Sequence, residues 1–377
     1  MAEPRPMEPQ ELRPRLERAF DTAESKLKAT VARYPDYFPI YTEDGAWKHQ
    51  GELWTDWCAG FHAGMMWLIA RRTGDLAWRG RAEHYSRLLE HKQFDRDVHD
   101  LGFIFLNTYL PWYEETGDPR LNEVLVQAGR TLALRFNPAG QYLRSFVAPE
   151  SLFIDIMMNV PIIFYAARES GDKALDEIAR AHCRTTERTI VRPNGGTAHE
   201  GIFDAESGEF LRESTHQGLR PDTDWARGLA WSLYGFGTVY TYTNDPADLA
   251  VAERNANHFL NRLDGTFVPP WDFDVPEGPD RLDDSSAGAI AASGLWNLAT
   301  LTKSPGAARR YRLGALNILD ALCTDPYVAW DEPDWEGVLK HGIYHFHKNL
   351  GVDESVMWGE FFFLEAVTKV LRESDRS

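Results

Sequence analysis

Apolar residues recur every three or four positions along most of the chain, in twelve segments separated by polar stretches. This is the period of an α-helix that turns one face towards a core, so the pattern predicts an all-α protein. The predicted helices span 10–32, 57–73, 77–92, 100–115, 121–136, 153–169, 174–190, 225–243, 249–263, 286–301, 307–323 and 355–372.

Five short connections carry residues that end one helix and begin the next. They read TGDLA from Thr73, TGDPR from Thr116, SGDKA from Ser170, TNDPA from Thr243 and TKSPG from Thr302. Each combines a turn-forming residue with an Asp or Ser that is suited to capping the following helix. These connections therefore predict tight hairpins between antiparallel helices.

Six polar and aromatic stretches stand just before or at the start of an apolar segment, roughly 45 to 70 residues apart. They are WTDWCAGF (54–61), HDLGFIFLN (99–107), LFIDIMMN (152–159), DWARGLAW (224–231), DDSSA (283–287) and DESVMWGE (353–360). A repeat of about two helices predicts six helical hairpins. The last helix is as apolar as the middle ones, unlike a polar solenoid cap, so we expect a single closed (α/α)6 barrel. The hairpin turns would lie at one end and the six stretches, with the site, at the other.

The bulk composition fits one such barrel over residues 1–377, with about residues 1–10 as a flexible N-terminal arm. A net charge of −17 argues against nucleic acid and anionic membranes as partners, because both need a basic face. No apolar run reaches the ~18 to 20 residues of a membrane span, and the start lacks the apolar region of a secretory signal. Cys58, Cys183 and Cys323 lack CxxC spacing, which favours reduced thiols and a cytoplasmic location.

The longest interruption, 191–223, is rich in glycine, and loops of this length in compact domains are usually functional. It holds His199, His216 and Gln217 as candidate binding residues. Neither HxxxH nor HExxH accompanies the histidines, so we expect no metal and no other cofactor. The chain also lacks a convincing GxSxG, P-loop or dinucleotide fingerprint, which removes support for acyl, phosphoryl and dinucleotide chemistry.

Two carboxylates stand out as catalytic candidates. Asp155 and Asn159 are four residues apart in an otherwise apolar segment, and Asp100 lies seven residues before Asn107. Two carboxyl groups in apolar surroundings push their pKa values apart, which keeps one protonated as a general acid. The alternative for each Asp is a helix cap or a structural hydrogen bond.

Arg227 and Trp231 are four residues apart, so a helix places a guanidinium beside an indole face. Arginine suits bidentate binding of a carboxylate, and aromatic rings suit sugar faces. Trp54, Trp57 and Phe146 are further candidates for an aromatic platform. The alternative for Arg227 is an ion pair that ties two helices together.

Several motifs together resemble glycoside hydrolase family 88, the unsaturated glucuronyl hydrolases. They are HDLGF, LFIDIMMN, GGTAH, THQG, WARGLAW, DSSA and VDESVMWGEFFFLEA, and they extend from about residue 54 to the C-terminus. The resemblance implies an (α/α)6 barrel that removes the 4,5-unsaturated uronic acid from the non-reducing end of lyase-generated oligosaccharides. The implied reaction is hydration of the vinyl ether double bond.

The resemblance also implies roles for individual residues. Asp155 would begin protonated, give its proton to C4 and activate the water that adds at C5, and Asp100 would raise the proton affinity of Asp155. Residues His199, Gln217, Arg227, Trp231 and Trp54 would line the subsite of the unsaturated sugar. Phe146 departs from the family, since many relatives have Trp there. The segment HGIYHFHKNL (341–350) would meet the next sugar, and its Lys348 is a candidate contact for a sulfate or carboxylate.

Three alternatives remain at this level. The sister unsaturated rhamnogalacturonyl hydrolase acts on pectin fragments and differs only at the aglycone subsite. A barrel-fold sugar 2-epimerase would need a His pair on inner helices, where this chain offers Asp100 and Asp155. A non-catalytic oligosaccharide-binding barrel would not need a desolvated Asp155. Sulfated glycosaminoglycan and bacterial polysaccharide fragments both stay open as substrates.

Overall fold

The computed structural model describes residues 5–48 and 57–375, which are mostly helical. The helices are α1 (Pro9–Arg33), α2 (Ala59–Thr73), α3 (Leu76–Leu88), α4 (Leu101–Phe105), α5 (Tyr109–Thr116), α6 (Pro119–Ala133), α7 (Ile156–Asn159), α8 (Pro161–Ser170), α9 (Lys173–Ile190), α10 (Ala226–Thr243), α11 (Pro246–Arg262), α12 (Ser285–Leu301), α13 (Pro305–Leu322) and α14 (Met357–Ser374).

The hairpin turns form as their sequences predict. Side-chain oxygens of the predicted cap residues accept backbone N–H groups in the first turns of α3, α6, α9, α11 and α13; these residues are Asp75, Asp118, Asp172, Asp245 and Ser304. Before four of them, a residue in the left-handed conformation ends the preceding helix: Gly74, Gly117, Gly171 and Asn244. Each such turn therefore satisfies the free backbone groups of two helix ends at once.

Inner helices pack side by side in a closed ring. Helix α2 contacts α4, α4 contacts α7 and α8, these contact α10, α10 contacts α12, α12 contacts α14, and α14 returns to α2. Helices α1, α3, α6, α9, α11 and α13 pack outside, each against an inner helix. The last contact closes the ring, so the predicted (α/α)6 barrel is confirmed.

Two inner helices are broken where the sequence pattern predicts continuous ones. The segment 100–115 divides into α4 and α5, because Asn107 and Thr108 donate side-chain hydrogen bonds to carbonyl groups one turn back and Pro111 lacks a backbone N–H. The segment 153–169 divides into α7 and α8 at Pro161. As a result, Asp100 and Asp155 stand at the N-cap positions of two short helices.

Glycine permits the broken helices to pack tightly. A Cβ atom on Gly102 of α4 would lie 2.5 Å from Asn159 Cα, and one on Gly60 of α2 would lie 2.4 Å from Phe103 O. Neither distance is compatible with a side chain. Asn159 accepts the backbone N–H of Phe103 through Oδ1 at 2.8 Å, so it ties α7 to α4. Its Nδ2 also donates to Asp155 O at 3.2 Å, so the same side chain links Asp155 to α4.

Short antiparallel strands occupy the connections. They are β1 (Thr42–Glu43), β2 (Ala46–Trp47), β3 (Phe136–Asn137), β4 (Tyr142–Leu143), β5 (Ser151–Phe153), β6 (Glu200–Phe203), β7 (Phe210–Ser214), β8 (Gly342–His345) and β9 (Leu350–Glu354). β1 pairs with β2, β3 with β4 and β8 with β9, while β5, β6 and β7 form one sheet in that order. The pairing of β5 with β6 continues into a hydrogen bond from Ile154 N to His199 O at 3.0 Å. This sheet therefore holds His199 beside Asp155.

The N-terminal segment lies against the barrel. Met7 is buried, and the backbone N–H of Arg5 donates to Asn317 Oδ1 at 3.0 Å. The described part of the segment expected to form an arm is thus packed, and α1 already begins at Pro9. No helix among the described residues is long and apolar enough to cross a membrane.

Candidate active site

One cavity lies where the connections cover the end of the helical ring. Both predicted catalytic carboxyl groups line it, as do five predicted substrate contacts. Its lining residues are Trp57, His99, Asp100, Phe146, Phe153, Asp155, His199, His216, Gln217, Arg227 and Tyr344. The fold therefore brings together residues that are up to 287 positions apart in the sequence, as the hydrogen bond from Trp57 Nε1 to the Tyr344 hydroxyl shows at 3.3 Å.

Asp155 presents an enclosed carboxylate oxygen to the cavity. Its side chain is 18% exposed, yet Oδ2 is fully buried, and no hydrogen bond from the described residues reaches it. The nearest partner is His199 Nε2, 3.5 Å away. Because His199 is close to Asp155 Oδ2 but does not form a hydrogen bond with it, this oxygen is available to a substrate.

The ring of His199 is fixed in one tautomer. Its Nδ1 atom faces the backbone N–H groups of His216 and Gln217, each at 3.1 Å, and must accept from both. The proton of the neutral imidazole is therefore assigned to Nε2, which faces Asp155. The start of the loop after β7 thus decides which nitrogen of His199 serves the site.

Asp100 has the same arrangement with a second histidine. His99 Nδ1 accepts the backbone N–H of Phe146 at 3.1 Å, and its Nε2 lies 3.5 Å from Asp100 Oδ1. Burial lowers the pKa of His99 to about 3, so this ring is neutral. The site therefore contains two buried carboxyl groups, each facing the Nε2–H of a histidine whose tautomer the backbone fixes.

The two carboxyl groups have opposite pKa shifts. Burial, and next the charge of Asp155, raise the pKa of Asp100 well above its usual value. Burial also raises the pKa of Asp155, but His199 and the positive charge of Arg227 outweigh it and leave that pKa below the usual value. Asp100 is thus the carboxyl group with the raised pKa, the reverse of the order expected from the resemblance.

Arg227 is held by the protein itself. Its side chain is 2% exposed and lies between two indole rings, 4.5 Å from the ring centre of Trp225 and 5.0 Å from that of Trp358. One Nη atom is 3.4 Å from Asp284 Oδ2, which is also fully buried. Arg227 therefore joins α10 to the start of α12, the alternative that the sequence left open.

The remaining donors of Arg227 reach the cavity wall. Nη2 donates to Gln217 Oε1 and to Tyr344 O, both at 2.8 Å, and Nη1 donates to Ile343 O. These hydrogen bonds engage both Nη atoms, so bidentate binding of a substrate carboxylate by Arg227 stays a prediction that these contacts do not support. Its guanidinium instead orients Gln217 and strand β8.

Two predicted contacts do not line the cavity. Trp231 is fully buried one helical turn below Arg227, with its ring 5.0 Å from Phe103 and 5.3 Å from Phe362, so its predicted sugar contact is wrong. Lys348 is exposed in the turn between β8 and β9. Trp54 lies outside the described residues.

Four cavity residues were not predicted as site residues: His99, Phe153, Tyr344 and Trp57, the last considered only as a platform. Phe153 packs its ring 4.5 Å from that of His199. The helical interpretation of 153–169 hid it, because only the alternation of a strand places Phe153 on the same side as Asp155. The dipeptide of His99 with Asp100 was the available signal for His99. In the described ranges no three His, Cys, Asp or Glu side chains are grouped as metal ligands.

Known proteins share this architecture along nearly the whole chain. The unsaturated glucuronyl hydrolase of Bacillus sp. (strain GL1) is 32% identical over 353 residues, covering 91% of this chain and 93% of that protein. The unsaturated chondroitin disaccharide hydrolase of Streptococcus pyogenes serotype M1 is 28% identical and covers 94% of this chain and 91% of its own. The crystal structure of the Bacillus sp. GL1 enzyme superposes with a TM-score of 0.89 at 29% identity, covering 95% of this chain and 97% of that one.

A second solved structure, an unsaturated glucuronyl hydrolase specific for heparin, also gives a TM-score of 0.89 at 29% identity, covering 96% and 98% of the two chains. The family model of Glycosyl Hydrolase Family 88 matches residues 26–270, which include both carboxyl groups, both tautomer-fixed histidines and Arg227. The paired carboxyl groups at the mouth of a closed helical ring thus belong to a glycoside hydrolase, and the chain is a member of Glycosyl Hydrolase Family 88.

Proposed function

We propose that this enzyme removes the 4,5-unsaturated uronic acid from the non-reducing end of lyase-generated oligosaccharides by hydrating its vinyl ether double bond. The observation that carries the proposal is the pair of buried carboxyl groups, Asp100 and Asp155, each opposite a neutral histidine Nε2–H. Such a pair holds one proton in a desolvated site, which is what protonation of a carbon atom requires. The family relationship supports this reaction over that of a sugar 2-epimerase.

Asp155 acts as the acid in this proposal. Its proton goes to C4 of the sugar, and the positive charge that develops is shared between C5 and the ring oxygen. The Asp155 carboxylate then accepts a proton from water as the oxygen of that water bonds to C5. The resulting C5 hemiketal opens to a ketone, C1 becomes a hemiacetal, and its collapse to an aldehyde releases the aglycone alcohol. Asp155 ends protonated, ready for the next turnover.

Substrate binding itself favours the protonated form of Asp155 that the proposed mechanism requires. Its carboxylate brings a negative charge into the cavity and its ring displaces water, and both effects disfavour the charged form of Asp155. The pKa of Asp155 therefore rises on binding, while sugar hydroxyl groups that donate to Asp100 would stabilise its carboxylate, so in this proposal Asp155 holds the proton. Asp100, then charged, is placed to accept hydrogen bonds from ring hydroxyl groups.

The cavity walls suit a sugar ring. Phe146 and Trp57 offer aromatic faces, and His216 and Gln217 offer polar groups opposite them. Trp54 remains a predicted aromatic contact from the sequence, and Lys348 a predicted contact for the next sugar.

Some expectations from the sequence remain predictions. The three cysteines are buried and no disulfide joins them, which agrees with the predicted reduced thiols, and the cytoplasmic location stays a prediction. We also propose that residues 1–377 act as one catalytic domain without a cofactor.

The substrate class can be tested with disaccharides that different polysaccharide lyases release. We expect the wild-type protein to abolish the ultraviolet absorbance of the conjugated double bond in unsaturated glucuronyl disaccharides. The kcat/KM values on sulfated, unsulfated and pectic disaccharides would then rank the preferred aglycones. Higher kcat/KM on pectic fragments would favour the rhamnogalacturonyl alternative. Absence of turnover on every member would refute the proposal.

Replacing His199 with Ala tests the electrostatic control of Asp155. The imidazole lowers the pKa of Asp155 against burial, so its removal raises that pKa. Because the acid form of Asp155 is the active one, the alkaline limb of the kcat/KM profile should move to higher pH. Turnover should fall about tenfold or more, because the polar contact of Nε2 with Oδ2 at 3.5 Å no longer orients the carboxyl group. His84→Ala, at a histidine 53% exposed, is the control. An unchanged alkaline limb would contradict the assigned role.

A further inference from the structure

A second depression shares one lining residue, Phe146, with the active-site cavity, and its Arg135 is close enough to Asp100 to act on it electrostatically. Three arginines surround the depression, Arg96, Arg135 and Arg144, together with Ser145 and the turn that ends at Pro149. We call these three side chains and their depression the arginine pocket. Its position beside the wall of the catalytic cavity makes it accessible to a substrate that extends out of that cavity.

The arginine pocket contains uncompensated positive charge. Within the described ranges none of its three guanidinium groups forms an ion pair with a carboxylate. Many other arginines of this chain do form such pairs, for example Arg71 with Glu114 and Arg192 with Asp224. Asp95, Asp97 and Asp100 face Arg135 electrostatically but lie beyond ion-pair distance. In a protein with a net charge of −17, such a local excess of cations is unusual.

Neutral carbonyl groups fix two of these side chains in place. Arg135 donates through Nε to Arg144 O at 2.8 Å and through its Nη atoms to Arg96 O and Ser145 O, both at 2.5 Å. Arg144 donates through Nε to Arg135 O at 2.9 Å and through Nη2 to Leu134 O at 3.2 Å. Carbonyl oxygens orient a guanidinium without cancelling its charge, so the pocket is preorganised as well as electropositive.

Burial and the neighbouring charge of Arg144 lower the pKa of Arg135, which shows that its charged form is unfavourable in the absence of a counterion. An oxyanion would relieve that cost, because Arg135 and Arg144 each have N–H groups beyond those that their carbonyl partners use. The exposed side chain of Arg96 at the rim can close over the anion.

We propose that the arginine pocket binds an oxyanion, a sulfate ester or a carboxylate, on the sugar chain beyond the unsaturated uronic acid. This inference rests on the proposed function, because it deepens the choice of substrate at the same site. The uronate lies inside the enclosed cavity with Asp155, so a charged group in the arginine pocket belongs to the aglycone side. The pocket thereby selects for anionic saccharides.

The test compares arginine variants on matched substrates. In Arg96→Gln/Arg144→Gln, kcat/KM for an unsaturated disaccharide with a sulfated aglycone should fall about tenfold, mainly through KM, as expected for loss of charge-assisted hydrogen bonds. The unsulfated disaccharide should be unaffected within about twofold. Arg309→Gln, at an exposed arginine of α13, is the matched control, and Arg144→Lys, which keeps the charge, should lose less than Arg144→Gln.

Further arms identify the source of the oxyanion. In one arm, an unsaturated tetrasaccharide replaces the sulfated disaccharide; beyond the unsaturated residue, its only charged group is the carboxylate of a second uronic acid. In another arm, inorganic sulfate is added as a competitor. Loss confined to either anionic substrate supports the inference. Equal loss on charged and uncharged aglycones, no loss on any, or competition by inorganic sulfate without an effect on saccharides overturns it. If the wild type turns over none of these substrates, the proposed function fails instead.

Discussion

Replacing Asp155 with Asn is expected to lower kcat by about 10³-fold or more while the fold is retained, because general acid and base catalysis by one side chain contributes about 10² to 10⁴. In our proposal the same carboxyl group donates the proton to C4 and accepts the proton of water, so the variant loses both steps. The amide has nearly the shape of the carboxyl group, and no protein hydrogen bond to Oδ2 is lost. The decrease in ultraviolet absorbance of the double bond measures the effect.

Two controls make this result specific. Asp331→Asn removes a carboxylate that is 92% exposed and should leave turnover unchanged. Circular dichroism and thermal unfolding of Asp155→Asn should match the wild type. Activity within tenfold of the wild type would exclude Asp155 as the acid, whatever the substrate.

Replacing Arg227 with Gln is expected to destabilise the fold by about 3 to 5 kcal/mol, because the substitution leaves Asp284 as an unpaired buried carboxyl group. It also removes donors from the carbonyl groups of Ile343 and Tyr344, which hold β8 against α10. A lower melting temperature and a lower urea midpoint at neutral pH would measure this effect.

This prediction separates two roles for the same arginine. The double variant Arg227→Met/Asp284→Ala removes both charges and should regain part of the lost stability. Arg254→Gln, at an exposed ion pair, should change the melting temperature very little. If Arg227→Gln keeps the stability of the wild type and raises KM alone, then Arg227 grips the substrate directly and our structural assignment is wrong.

The barrel was predictable because its information is local. The apolar period of each helix and the capping residues in turns such as TGDPR depend only on neighbours in the chain, and the approximate sixfold repeat supplied the number of hairpins. The breaks before α5 and α8 were harder to predict. Pro111 and Pro161 are visible in the sequence, but whether a proline bends, ends or begins a helix depends on the packing around it.

The site was predictable in part. Seven cavity residues follow from motifs, because a carboxylate or histidine in an apolar segment is locally conspicuous. Trp231 and Arg227 were assigned to substrate from their spacing of four residues and from the family resemblance. The groups that accept hydrogen bonds from Arg227, in β8 and at Asp284, lie more than 50 residues away in the chain. The sequence near Arg227 therefore does not show that its donors are used within the protein.

By itself the sequence determined the helical class, the closed ring, the end of the ring that carries the site and the two carboxyl groups. Only the tertiary structure decided the opposite pKa shifts of Asp100 and Asp155, the tautomers of His99 and His199, and the charge excess of the arginine pocket. The physical reason is that each of these properties depends on distances to groups brought by other elements. A pKa, a tautomer or an unpaired charge is set by its surroundings in space, whereas a helix is set largely by its own residues.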